Sequence, residues 1–424
     1  MNLQPIMHKP AATLTGPAPT YSLKVLAVLV PALFFLFPMW PAPSNIVLLL
    51  VVIAFLFTIN RSYWNFSEWP AAQKILLALF VVVAFGCLYS SATWEWMSLH
   101  LSKYAKFVYA VALILLLRDR AVWQQRAHGA FVAAMVFILV STWLNVWFIL
   151  PWSTTSVTGF GVSHHVFGDY ITQNALMSYL IAYASVQIKK KNHWIYNLWW
   201  SAILIFGLFS ITHLSMGRTG FVLAVVGLTT VLVMRTKLKV LKWLLPTFFF
   251  ILIGLLSSSN MLRDRFELGM QELLKRDVNN ETSIGHRAYN YKITPTLIAK
   301  NPIVGHGTGA YHTEICKVMS DPQRCDEFSW HPHNQFLFFG ADHGLVGMIL
   351  YMALILSLYK LSYSTRGTSV GLQLMAFTSI LLINSLINSP LWSSRESQFF
   401  CFVMALLIAM CSQPQSVKLH EHRT

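Results

Sequence analysis

Apolar runs recur from one end of this chain to the other, and they leave it little conformational choice. About twelve can be drawn, each near the roughly 17–25 residues that cross a hydrocarbon layer or somewhat shorter. They are Lys24–Trp40, Asn45–Ile59, Lys74–Tyr89, Tyr104–Leu117, Gly129–Phe148, Tyr170–Ile188, Ile195–Ile211, Gly220–Met234, Val240–Ser257, Asp342–Tyr359, Leu372–Asn388 and Gln398–Cys411. Backbone polar groups in lipid must be satisfied within the span, so such runs read as helices. The expected fold is all-α, a polytopic integral membrane protein of about twelve transmembrane helices. One polar excursion interrupts the series. Transmembrane helices 1–9 occupy 1–257, the excursion 258–341, and helices 10–12 with a tail 342–424, all within a single membrane domain.

Charge supports this class. Only 11% of the 424 residues are charged, against about 25% in a soluble domain. The net charge of +15 could suit nucleic acid, but the basic residues lie in short clusters between apolar runs and form no single face. No nucleic-acid partner is expected; membrane lipids are. Alternate connections carry Arg61 and Lys74; Arg118, Arg120 and Arg126; Lys189, Lys190 and Lys191; Arg235, Lys237, Lys239 and Lys242; and Lys360 and Arg366. Basic residues favour the cytoplasmic side, which puts both termini in the cytoplasm and the excursion outside. Met1–Tyr21 shows no small-residue cleavage site, so the first span is expected to stay in place.

Cys316 and Cys325 share the excursion, while Cys87, Cys401 and Cys411 lie in apolar runs. In an oxidising compartment the first two are expected to pair. Leu262, Phe266, Met270, Leu273 and Leu274 share one helical face, which predicts an amphipathic helix lying on the membrane or packed on the bundle. A second helix is predicted over Ser283–Thr294, broken near Pro295. A Gly-rich turn follows, from Asn301 to Tyr311.

The chemistry gathers where the excursion returns to the membrane, at Trp330-His331-Pro332-His333-Asn334-Gln335. Imidazole moves protons near neutral pH, so a base at a lipid–water boundary points to a substrate with a lipid tail and a polar head. His333 is the candidate base. Pro332 stiffens its approach, Asn334 offers an amide to fix the ring, and Gly344 and Gly347 allow close helix packing behind. The competing reading is an interfacial histidine bonded to backbone. His331 reads as polar support. A His-x-His metal site with His306, His312 or His343 is the alternative, but no carboxylate-rich motif accompanies it, and neither metal nor cofactor is expected.

Arg218 stands nearly alone among basic residues in its link, with Gly217 and Gly220 beside it and a helix N-terminus behind. That setting suits a phosphate, which arginine grips with a planar fork; snorkelling to headgroups is the competing use. Arg287 is a second candidate, not separable on residues alone from Arg263, Arg265 or Arg276. The Gly305–Gly309 turn could offer N–H groups to an anion or be a plain turn. His164, His165 and Asp169 could line a sugar site or an ordinary loop.

His333-Asn334, nine residues, then Gly344-x-x-Gly347 resembles the signature of the O-antigen ligase family. The Arg218 segment, the Arg287 segment, the Asn301–Gly307 turn and the His333 motif occur in that family's order, across Thr212–Tyr351. The wider resemblance is to a membrane superfamily that also holds O-antigen polymerases and O-linked oligosaccharyltransferases. It implies a metal-independent, inverting glycosyltransferase of the GT-C type. Such an enzyme moves O-antigen polysaccharide from undecaprenyl diphosphate to the lipid A–core oligosaccharide, at the periplasmic face of a Gram-negative inner membrane. By this resemblance His333 is the catalytic residue and Arg218 and Arg287 bind the donor diphosphate. A polymerase or oligosaccharyltransferase remains an alternative within the superfamily. A lipid-linked glycan transporter is the alternative from another class, disfavoured by scarce intramembrane charge and no evident repeated halves.

Overall fold

The computed structural model describes residues 20–58, 63, 65–188, 194–274, 283–319 and 322–412, and no strand occurs among them. The helices, in chain order, are α1 (Thr20–Leu36), α2 (Pro41–Leu56), α3 (Ala71–Gly86), α4 (Trp94–Tyr104), α5 (Lys106–Leu117), α6 (Ala121–Leu144), α7 (Tyr170–Gln187), α8 (Trp194–His213), α9 (Arg218–Arg235), α10 (Leu238–Ser258), α11 (Asn260–Leu274), α12 (Ser283–Ile298), α13 (Tyr311–Glu314), α14 (Cys325–Phe328), α15 (Gln335–Ser364), α16 (Ser369–Ile387) and α17 (Ser394–Cys411).

Eight helical segments among the described residues are long and apolar enough to cross a membrane, with three shorter apolar ones, Tyr21–Leu36, Pro41–Leu56 and Ala71–Gly86. This is a multi-pass membrane protein. One of the eight, Trp94–Leu117, joins α4 to α5 and begins well before the Tyr104 start drawn from hydropathy, because Glu95, His100 and Lys103 dilute its first half. α7 meets neither description. Gln173, Asn174 and Ser178 lower its hydropathy, yet it is buried on nearly every face. Its neighbours are α8, α9 and α16. α17 is buried almost throughout, whereas α10 is apolar and mostly exposed. An apolar helix with an exposed surface fits contact with lipid.

The excursion has a small core of its own. Ile293, Leu297, Tyr311, Ile315 and Phe328 pack on Phe338 of α15 and on Trp392. Burying a Leu or Phe side chain outside the membrane contributes roughly 1.5–3 kcal/mol. This explains why α12 runs through Pro295 and is not broken there as its sequence suggests. Ile293 and Leu297 flank the proline and are both buried, which offsets the lost hydrogen bond. The cysteine pair expected in the excursion is present: Cys316 and Cys325 are disulfide-bonded. In α11, Leu262 is buried and Phe266 packs against the main core, while Met270 is 58% exposed. Among its described side chains the helix meets the rest of the protein through Leu262 and Phe266, and Gly269 is buried against Arg218 and Ile284. The side chains of Leu273 and Leu274 lie outside the described residues, as do Arg276, Lys189–Lys191 and the termini.

α15 begins at Gln335, ahead of the Asp342 start of the apolar run, and is kinked. Gly344 has φ 60° and ψ −154° inside it. A Cβ there would sit 2.4 Å from the backbone of Ile303, so only glycine fits. The amides freed by the kink find other acceptors. Leu345 N donates to Pro302 O at 2.7 Å and Val346 N to Ile303 O at 3.2 Å. Gly347, expected to admit a second helix, instead packs within α15, where its added Cβ would meet His343 and Phe339.

The Gly-rich turn docks on this kink. Gly305, Gly307 and Gly309 all have positive φ. Their segment's N–H groups do turn toward an anion, but it is the carboxylate of Asp342. Gly309 N and Tyr311 N donate to it at 3.1 and 2.9 Å, and His100 Nδ1 lies 3.1 Å away. Gly307 N and His306 N donate to the carbonyls of Asp342 and Ala341. The turn is a built joint and not a free phosphate cradle.

Candidate active site

His333 sits at the entry to α15 and is the one non-glycine residue with positive φ among the described residues, at 52°. Such a conformation costs of order 1–3 kcal/mol and persists only where neighbours enforce it. Two hydrogen bonds do so: His333 N donates to His331 Nδ1 at 3.2 Å, and the Tyr291 hydroxyl donates to His333 O at 3.2 Å. The two imidazoles lie 4.2 Å apart, centre to centre.

Asn334 does not hold the ring, as its position had suggested. Its Oδ1 caps α15, accepting from Phe336 N at 2.9 Å and Leu337 N at 3.1 Å, and its Nδ2 donates to Leu386 O. An Asn at a helix start is better used as an N-cap than as a ring partner one residue away. The amide side chain close enough to act on the His333 ring is Asn388, from the α16–α17 connection, which favours the protonated ring slightly. Asn388 Nδ2 also donates to Glu396 Oε2 at 3.3 Å, and Asn384 Nδ2 to Glu396 Oε1 at 3.4 Å. Glu396 is 1% exposed. Nothing in the spacing of Asn388 or Glu396 announces this link. An Asn at the end of a span, before Ser389-Pro390, reads as a turn residue.

Arg287, from α12, is half-buried with its Nε buried and unpartnered. It is close enough to Arg218 to feel that charge, and close enough to depress proton affinity at His331 and His333. Burial first, then the Arg218 charge, hold the Arg287 guanidinium below its ordinary range. Neither arginine forms an ion pair with a described residue. The other candidates are placed differently. Arg263 is exposed and lies near Asp264 and Glu267, and Arg265 is exposed against the Met216 sulfur.

Arg218 opens α9 and donates from Nη1 to Arg265 O at 2.7 Å. Gly269 of α11 leaves room for it, since a Cβ there would lie 2.2 Å from Nη1. Gly217 and Gly220, read from sequence as admitting an anion to the backbone, are instead filled by Asn174 of α7. The anion-directed feature is the guanidinium and not the glycines. Tyr170 acts on both arginines, and Tyr291 on Arg287.

The remaining histidines are engaged elsewhere. His306 meets Leu297 O at 3.0 Å and Asn301 at 3.1 Å. His312 contacts His100 at 2.9 Å and stacks on Trp96. His343 is buried beside Thr308 and Gly86. Among the described residues no three His, Cys, Asp or Glu side chains converge as metal ligands do. Asp169 caps α7 through Thr172, and His164 bonds Gly159 O, so both serve the 151–169 loop itself.

The arrangement therefore presents two guanidiniums near an imidazole, with the Glu272 carboxylate close enough to act on Arg218 but in no ion pair with either arginine among the described residues. Burial, then His331 and Arg287, hold His333 far below the usual histidine range, so its ring is neutral. Its Nδ1 is buried and unpartnered. Such a site can hold a polyanion and accept a proton next to it.

Residues 201–352 match the family model described as O-antigen ligase. That stretch contains Arg218, Arg287, His331, His333, Asn334, Gly344 and Gly347. It leaves out Asn388, Glu396 and the first seven helices. No curated protein shows a significant match to the chain. The matched segment holds the motifs that carry the sequence resemblance, and residues 201–352 are similar to the O-antigen ligase domain.

Proposed function

We propose that this protein is an O-antigen ligase. It transfers O-antigen polysaccharide from undecaprenyl diphosphate to a sugar of the lipid A–core oligosaccharide, forming lipopolysaccharide at the periplasmic face of the inner membrane. The observation that carries this reading is a neutral His333 within reach of the Arg287 charge, with Arg218 in turn within reach of Arg287, at the membrane re-entry of the excursion. An acceptor hydroxyl gives its proton to the imidazole as its oxygen attacks the donor's anomeric carbon. The bond from that carbon to the diphosphate oxygen breaks, and its electron pair leaves with undecaprenyl diphosphate. Attack opposite the leaving group inverts the anomeric centre.

The two guanidiniums face the charge that grows on the leaving diphosphate, and fixed positive charge there lowers the barrier. The donor is already activated, so the step draws on neither a nucleotide nor a metal. The same diphosphate brings negative charge next to His333, which raises the proton affinity of an imidazole otherwise held low. Both lipid tails stay in the bilayer, with the basic links facing the cytoplasm.

The test is the lipopolysaccharide pattern of a deletion strain. A ligase loss removes every capped molecule. Retention of single-unit caps would assign the protein as a polymerase instead.

A further inference from the structure

A second cationic site lies at the other end of the α16–α17 connection. A cavity of about 470 Å³ opens between α2, the α4–α5 segment and α17. One wall is apolar, with Leu48 and Val52 of α2; the opposite end is polar, with Asn45, Lys103, Lys106 and Gln398. Lys106 is 9% exposed, and its ammonium donates to Lys103 O at 3.2 Å. Lys103 donates to Ser394 Oγ at 2.5 Å and lies over the Trp392 ring. Neither lysine forms an ion pair with a described residue. Gln398 is 2% exposed; its Nε2 donates to Asn45 Oδ1 at 2.7 Å, while its Oε1 is buried without a partner.

An ammonium has three donors, so two half-spent lysines in one cavity leave several unfilled. A snorkelling lysine would carry its head to water, whereas Lys106 is buried. Ionisable groups inside a bundle with no counter-charge point to a ligand. The outer face of α2 exposes Ile46, Leu49 and Ile53, so the apolar wall is continuous with the lipid-facing surface. We propose that this cavity binds an anionic phospholipid of the surrounding bilayer, its phosphate on Lys103 and Lys106 and its acyl chain along α2. Two lysines facing one lipid charge account for a preference of about tenfold or more over a zwitterionic lipid.

The experiment is native mass spectrometry of the full-length protein in detergent, titrated with phosphatidylglycerol, phosphatidylcholine or inorganic phosphate. The wild type should retain phosphatidylglycerol at least about tenfold better than phosphatidylcholine. Lys103→Gln/Lys106→Gln should lose that preference, and Lys74→Gln, remote from the cavity, should keep it. If the double glutamine variant is not monodisperse, Val52→Trp, which fills the apolar end and spares both lysines, should lose the bound lipid. Equal retention of both lipids, or an undiminished preference in either cavity variant, overturns the site. Displacement of the lipid by inorganic phosphate at comparable concentration overturns the lipid assignment and leaves a free-anion site. None of these readouts depends on glycan transfer.

Discussion

The backbone N–H of His333 donates to Nδ1 of His331 at 3.2 Å, so the first histidine of the motif holds the second in a left-handed turn. His331 therefore acts on the fold of the site more than on the proton. His331→Ala should lower transfer by about tenfold or less and cost about 1 kcal/mol of stability, the worth of one hydrogen bond. Paired transfer and thermal-unfolding measurements check this. A loss as large as that of His333→Ala would place His331 in the chemistry.

Lysine keeps charge but lacks the bidentate fork. Arg218→Lys and Arg287→Lys should each reduce transfer by about 10²-fold, the scale for removing one fixed donor from a developing anion. Arg265→Lys should be mild, because that side chain is exposed and its part in the site is a backbone carbonyl offered to Arg218. Full activity of Arg287→Lys would move the second phosphate contact to another residue.

Much of this was legible in the chain. The apolar runs announced the helices, and His333, Arg218 and Arg287 stood out by their company. What stayed hidden depends on partners distant in sequence. Asn388 and Glu396 reach the site only because α16 and α17 fold back against the start of α15. The glycines at 217, 220 and 347 were misread because a glycine permits close approach without saying what approaches; here it is Asn174 or a turn of the same helix. Asp342 was hidden as well, since its binding partners are main-chain amides that carry no sequence signal.

Asp342 gathers two amides and an imidazole in a buried joint. Asp342→Asn keeps the shape and loses the charge, and should destabilise the protein by about 3 kcal/mol, as when one partner of a buried charged set is removed. Gly344→Ala adds a Cβ 2.4 Å from Ile303 at a φ of 60° and should be worse. Melting temperatures in detergent decide; an unchanged value for both would mean that the kink is not held by this joint.

Burial, with the Arg287 charge, pushes His331 down to about 4, and burial, His331 and Arg287 push His333 lower still. Unfolded histidines titrate near 6.5, so as pH falls below that value the unfolded chain takes up protons that the folded site does not. Stability should therefore decline from about pH 6.5 downward and level off only below the folded values. The acid limb of kcat/KM should likewise lie below the ordinary histidine range. A limb at or above about 6.5 would mean that the base in the free enzyme is another group or a more exposed histidine.

The central claim is that His333 takes the acceptor's proton, and in vitro transfer by His333→Asn and His333→Ala tests it most directly. Asn tolerates the left-handed turn, so it removes the base while keeping the backbone. Both variants should lose about 10²–10⁴-fold in rate while donor binding stays nearly intact, since a general base acts mainly in the transition state. Wild-type activity should be unchanged by EDTA. Robust turnover by His333→Asn, or chelator-sensitive activity restored by zinc, would contradict the account.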